Sequence, residues 1–243
     1  MTSSLLTAKN KLIIALDVDD LGRARELAVA LHAHVGMFKI GHHLFSRYGP
    51  AAVEMIHDLG GRVFLDLKYH DIPNTVRLAV EAAVSLKVAM LNVHSAGGRV
   101  MMTEAVYAAH QAAIRVQCSR PIVLGVTVLT SLAESDLEEV GMRGPVESQV
   151  KRLAALAHAS GFDGVVASPQ EIGAIRSILP PPFLIVTPGV RVTPTAHDDQ
   201  KRTLSPAAAL QAGADYLVVG RPILEAPDPA LAAQNMVQAM AGS

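Results

Sequence analysis

Short runs of Val, Ile and Leu alternate with longer Ala- and Leu-rich stretches of helical period from one end of the chain to the other. That alternation predicts repeated βα units and a parallel sheet. Strands are expected over Lys11 to Asp17, Met37 to Gly41, Arg62 to Lys68, Met90 to His94, Ile122 to Val128, Gly164 to Ala167, Leu184 to Thr187 and Tyr216 to Gly220. The first strand end, Asp17, and the last, Gly220, lie 203 residues apart, so seven steps average 29 residues each, the size of one βαβ repeat. No second hydrophobic pattern, linker or Gly-x-Gly-x-x-Gly turn interrupts the series. A closed (β/α)8 barrel, one domain over residues 1–243, is therefore favoured over a doubly wound sheet.

Composition agrees with buried parallel strands. Half of the 243 residues are hydrophobic, 18% are charged, 4% are aromatic and none is Trp, which excludes a disordered chain and makes stacking platforms for bases improbable. A formal net charge of −1, with 21 basic residues scattered among 22 acidic ones, leaves no nucleic-acid footprint. The one cysteine, Cys118, allows neither an internal disulfide nor a thiolate metal cluster and reads as a buried or half-buried thiol. Residues Met1 to Asn10 carry no cleavable apolar region, and no apolar run reaches membrane-spanning length, so a soluble cytoplasmic protein is expected.

In such a barrel the chemistry sits at the C-terminal strand ends. Here those ends are polar: Asp17, Lys39, Asp66 with Lys68, His94, Thr130 just past the fifth strand, and the turn from Thr187 to Arg191. Period-two alternation in Arg62-Val-Phe-Leu-Asp66-Leu-Lys68 puts Asp66 and Lys68 on one face, aimed into the barrel mouth. With Lys39 and Asp71, charges can alternate as Lys39, Asp66, Lys68, Asp71. Pro73 is placed to open the next helix. Buried ion pairs gain little over apolar residues of the same volume, so four charges at this end point to a reaction rather than to stability. His94 is expected to line the pocket; His32, His34, His42 and His43 read as surface or packing residues, and the nine methionines as core filler.

The block Asp66-Leu-Lys-Tyr-His-Asp-Ile-Pro-Asn-Thr75 closely resembles the signature of the orotidine 5′-phosphate decarboxylase family, in its short bacterial form. Further matches follow in order: Ala15-Leu-Asp17, Phe38-Lys-Ile-Gly41, Asn92-Val-His94, Val126-Thr-Val-Leu-Thr-Ser131, Thr187-Pro-Gly-Val-Arg191, Asp198-Asp-Gln-Lys-Arg202 and Val218-Val-Gly-Arg-Pro-Ile223. The resemblance implies that Lys68 protonates C6 of the pyrimidine after carbon dioxide leaves, with Asp66 beside the departing carboxylate. It implies that Asp71 and Thr75 reach a neighbouring subunit's site in a homodimer, and that Asp17 and Lys39 contact the ribose hydroxyls and Thr130 the ring. Arg191, Gln200, Gly220 and Arg221 would hold the phosphate beneath a lid spanning residues 189–202. No metal, no organic cofactor, no nucleic acid and no membrane partner is expected.

The residue types fit that chemistry. Loss of carbon dioxide from C6 leaves a carbanion whose lone pair lies in the ring plane, where the π system cannot accept it; a fixed cation at that carbon is the available stabiliser. Backbone N–H groups and an arginine fork after the seventh and eighth strands suit a phosphate. Two other readings are open to the same barrel. One is a magnesium-dependent phosphosugar decarboxylase or aldolase of the same suprafamily, which resemblance associates with an acidic ligand at the end of the second strand, where this chain has Lys39. The other is a non-catalytic nucleotide-phosphate sensor, for which loss of Lys68 would be the mark.

Overall fold

Eight strands, β1 (Leu12–Ala15), β2 (Met37–Gly41), β3 (Val63–Tyr69), β4 (Met90–His94), β5 (Ile122–Val126), β6 (Gly164–Val166), β7 (Leu184–Pro188) and β8 (Tyr216–Val219), each pair in parallel with the next in sequence, and β8 pairs with β1. The computed structural model describes residues 3–142, 144–190 and 204–242. The expected (β/α)8 barrel is closed within them, every strand lying within two residues of its expected bounds.

Alternation along the strands divides the apolar residues into two separate layers. Ile13, Ala15, Met37, Phe64, Met90, Leu124, Val186 and Val218 form the cluster inside the barrel. Leu12, Ile14, Phe38, Ile40, Leu65, Leu91 and Val93 belong to the larger cluster between strands and helices. Two residues beyond Met37, Phe64 and Met90, on the same inward rows, stand Lys39, Asp66 and Asn92, all buried. The interior thus has an apolar floor and a polar layer above it, at the C-terminal strand ends.

Elsewhere local chemistry sets the elements. Asp20 accepts the Arg23 N–H at 2.9 Å to cap the helix Leu21–Leu31, and Pro73 opens the helix Pro73–Ser85 as the sequence predicts. At the N-terminal end of the barrel, Asp163 accepts from Val123 N and Arg120, and Asp215 accepts from Ile185 N and Arg176, so two carboxylates fasten the starts of β5 and β7. Lys11, expected in a strand, instead ends a helix, Ser3–Lys11, whose Ser4 Oγ donates to Ala241 O at 3.2 Å in the C-terminal helix Pro229–Ala241. Cys118 is half-buried, and no helix of the described residues is long and apolar enough to cross a membrane.

Candidate active site

The polar layer is a chain of ion pairs running across the first three strands. Asp17 Oδ1 lies 3.1 Å from Lys39 Nζ, Lys39 Nζ 3.3 Å from Asp66 Oδ2, and Asp66 Oδ1 2.7 Å from Lys68 Nζ. Charges alternate as expected, but the members differ. Asp17 opens the series, whereas the Asp71 carboxylate lies on the exposed loop after β3 and accepts the N–H of Ile72 at 2.6 Å. The loop after Tyr69 carries Asp71 outside the inward row on which Asp66 and Lys68 stand, so parity along the strand could not place it.

Burial pulls the Lys39 pKa down, but the charges of Asp66 and Asp17 and their hydrogen bonds more than offset this, leaving it above the ordinary lysine value. Burial pushes Asp66 up; Lys39 and Lys68, with hydrogen bonds from Lys68 and Asn92, overcome that and hold its carboxyl at about 2. Asp66 is therefore ionised at any physiological pH. Because its folded value lies below the ordinary 3.8, the unfolded chain takes up this proton first. The resulting stabilisation, on the order of 2 kcal/mol, is complete above about pH 5 and is lost as pH falls toward 2. Urea unfolding between pH 5 and 2.5 should show a shallower acid loss in Asp66→Asn than in the wild-type chain; equal slopes would remove Asp66 as the source.

Two further features complete the layer; both fall in motifs matched above, but neither was given a role from the sequence. Asn92, fully buried on β4, donates Nδ2–H to Asp66 Oδ1 at 2.7 Å and accepts the Lys68 backbone N–H on Oδ1 at 2.8 Å. The available signal was a polar residue in mid-strand between Leu91 and Val93. Gly41 leaves room for the ion pairs: a Cβ there would sit 2.9 Å from Lys39 Nζ and 3.3 Å from Asp17 Oδ1.

A cavity of about 550 Å³ opens over this layer. Asp17, Lys39, Asp66, Lys68, Thr130, Gly220 and Arg221, all proposed from the sequence, line it together, joined by Arg23 and Glu225, which were not. Packing does not demand glycine at 220, since a Cβ would meet nothing nearer than Ala15 Cβ at 3.6 Å. Arg191 and Gln200 lie outside the described residues, as does the expected lid apart from Gly189, which lines the cavity, and Val190, which pairs with Leu204.

Contrary to expectation, His94 is not among the residues lining the cavity. Its ring lies against that of His70, with centroids 5.3 Å apart. Burial first, then the neighbouring His70 and Lys68, hold the His94 pKa down at about 4, so the imidazole is neutral at pH 7. Asp71 and Thr75 line a second hollow of about 300 Å³ with Tyr69 and His70, and Lys68 borders both spaces. Among the described residues no three His, Cys, Asp or Glu side chains converge as a metal site.

An apolar floor and an alternating ion chain, with Arg23, Arg221 and Glu225 lining the cavity above them, make a charged site at the C-terminal end of the barrel. Residues 10–236 match the model of the orotidine 5′-phosphate decarboxylase / HUMPS family. Orotidine 5′-phosphate decarboxylase of Trichlorobacter lovleyi is 54% identical over 233 residues, 95% of each chain. That of Moorella thermoacetica is 53% identical over 228 residues, 93% of this chain and 90% of the relative. The crystal structure of the Lactobacillus acidophilus orotidine 5′-phosphate decarboxylase superposes with a TM-score of 0.84 at 34% identity, over 94% of this chain and 98% of the other.

Proposed function

The chain belongs to the orotidine 5′-phosphate decarboxylase / HUMPS family, and from that membership we propose that the ion chain converts orotidine 5′-phosphate to UMP and carbon dioxide, with Lys68 as proton donor. The single observation that carries this reading is the Lys68 ammonium, 2.7 Å from a carboxylate held ionised and at the edge of the cavity. When the C6–carboxylate bond breaks, its electron pair stays on C6 and carbon dioxide departs. Lys68 Nζ stabilises that pair electrostatically and then gives it a proton, and the neutral amine is reprotonated from solvent. Asp66 lies beside the leaving carboxylate and orients Lys68. Asp17 and Lys39 hold the ribose hydroxyls, and Thr130 meets the pyrimidine. Gly220 and Arg221, with Arg191 and Gln200, take the phosphate, whose remote binding energy is drawn on in the transition state.

A magnesium-dependent phosphosugar enzyme is disfavoured by Lys39, because a cation on β2 repels a metal where an acidic ligand is needed. A non-catalytic phosphate sensor is disfavoured by Lys68 itself. The product places the protein in pyrimidine nucleotide synthesis, and we assign it to the cytoplasm. Orotidine 5′-phosphate loses its near-ultraviolet absorbance on decarboxylation, so purified protein in EDTA should bleach the substrate in a spectrophotometer. Absence of bleaching by folded protein, or bleaching only with added magnesium, would count against this reading.

We further infer a homodimer with shared sites. Lys68 borders the second hollow, which Asp71 and Thr75 line from the outside. Beside it, Ile72 and Leu78 are exposed, and Val100, Tyr107 and Ile114 repeat every seven residues along one exposed face of the adjoining helix Gly98–Arg115. Such a stripe on a water-soluble surface marks a protein interface, and a second copy of the chain supplies the cover that brings its Asp71 toward Lys68.

A further inference from the structure

We propose that Asn92 is a positioning residue for the decarboxylation: it holds a bulge in β3 that aims Lys68, and it fixes the carboxylate to which Lys68 is bonded. The proposal rests on the reading of Lys68 as proton donor. Between β3 and β4, Leu65 stands opposite Leu91 and Tyr69 opposite Val93, so four steps on one strand face two on the other. The other seven strand pairs keep their register. The extra residues are those that carry Asp66 and Lys68.

A bulge of this kind has two costs. Lys68 takes a left-handed backbone conformation, φ 45°, which is unfavourable for any residue with a Cβ. Its N–H also leaves the β ladder, and a buried donor without a partner is expensive. Asn92 Oδ1 accepts that N–H at 2.8 Å, while Asn92 Nδ2–H donates to Asp66 Oδ1 at 2.7 Å, on the oxygen that also receives Lys68 Nζ. The amide orientation is forced, since a backbone N–H can only donate and an ionised carboxylate only accept. One short planar group thus ties both ends of the bulge. Leu in its place would fill the volume and satisfy neither end; Asp would accept from Lys68 N and offer nothing to Asp66.

The test uses the full chain with kcat and KM for orotidine 5′-phosphate, UMP affinity by calorimetry, and thermal unfolding. Asn92→Leu should lower kcat about 100-fold, the scale of a misplacement near 1 Å, while UMP affinity stays within about threefold because the phosphate end is untouched. A kcat within about threefold of wild type overturns the proposal, and so does a loss of UMP affinity as large as the loss of kcat, which would mark a merely structural residue. Should Asn92→Leu fail to fold, Asn92→Asp decides. Its new carboxyl faces the Asp66 carboxylate, which Lys39 and Lys68 flank, with His94 two residues along β4. Two adjoining carboxylates share a proton as pH falls, restoring a donor to Asp66. At pH 8, where the pair is ionised and no donor is restored, kcat should fall at least about tenfold while UMP affinity stays within about threefold; a kcat within about threefold of wild type overturns the proposal. Failure of the wild-type chain itself to turn over substrate would instead overturn the assignment of function.

Discussion

Lys68→Ala should lower kcat by at least about 10⁴-fold, because it removes both the charge facing the C6 carbanion and the proton that quenches it, effects worth about 10²-fold or more each. The protein should nevertheless fold. Asp66 keeps Lys39 at 3.3 Å and the Asn92 amide at 2.7 Å, so no buried carboxylate is left bare. The left-handed backbone at position 68 penalises Lys and Ala alike, so the exchange adds no strain of its own. UMP should bind with little change, since Gly220 and Arg221, on the turn after β8, are left intact. Lys68→Met separates loss of charge from loss of volume and should be as inactive as the Ala variant. Retention of even a hundredth of wild-type kcat in either would remove Lys68 as the proton donor.

What could be read from the sequence follows the physics of each part. The strands were legible because both of their faces are buried, so each stands out as a β-branched run between helical periods. The ion chain was legible because charged residues at successive strand ends have few structural uses. Asn92 was visible as a misplaced polar residue, but its partners depend on a shift of strand register, and strand alternation assumes that no such shift occurs. Gly41 entered only through the Phe38–Gly41 match, and its role was not legible because the crowding it relieves comes from Lys39 on β2 and Asp17 just beyond β1. Lys11 was assigned to a strand because Leu12, Ile13 and Ile14 follow it directly; the helix Ser3–Lys11 runs straight into β1 without the glycine or proline that usually marks such a boundary. His94 stands on an inward row, yet its ring finds His70 rather than the cavity, a choice that alternation cannot decide.

Two inactive parents should regain activity when mixed, if the site is shared. Asp71 does not join the ion chain within one copy, whereas Lys68 belongs to it and borders the hollow that Asp71 lines. With Asp71 acting on the neighbouring subunit, a Lys68→Ala chain paired with an Asp71→Asn chain yields one site bearing both lesions and one bearing none. Random exchange of equal amounts makes about half the dimers mixed, each with one intact site of two, so about a quarter of wild-type activity should return. With Asp71 acting on its own chain, every site keeps one lesion and nothing returns. Subunits would be exchanged in mild denaturant and the mixture assayed, with mixed dimers confirmed through two different affinity tags, so that failure to exchange cannot imitate a negative result; mixed dimers isolated through both tags should show about half of wild-type activity. Inactive dimers carrying both tags would refute the shared site and leave the stripe of Val100, Tyr107 and Ile114 to some other contact.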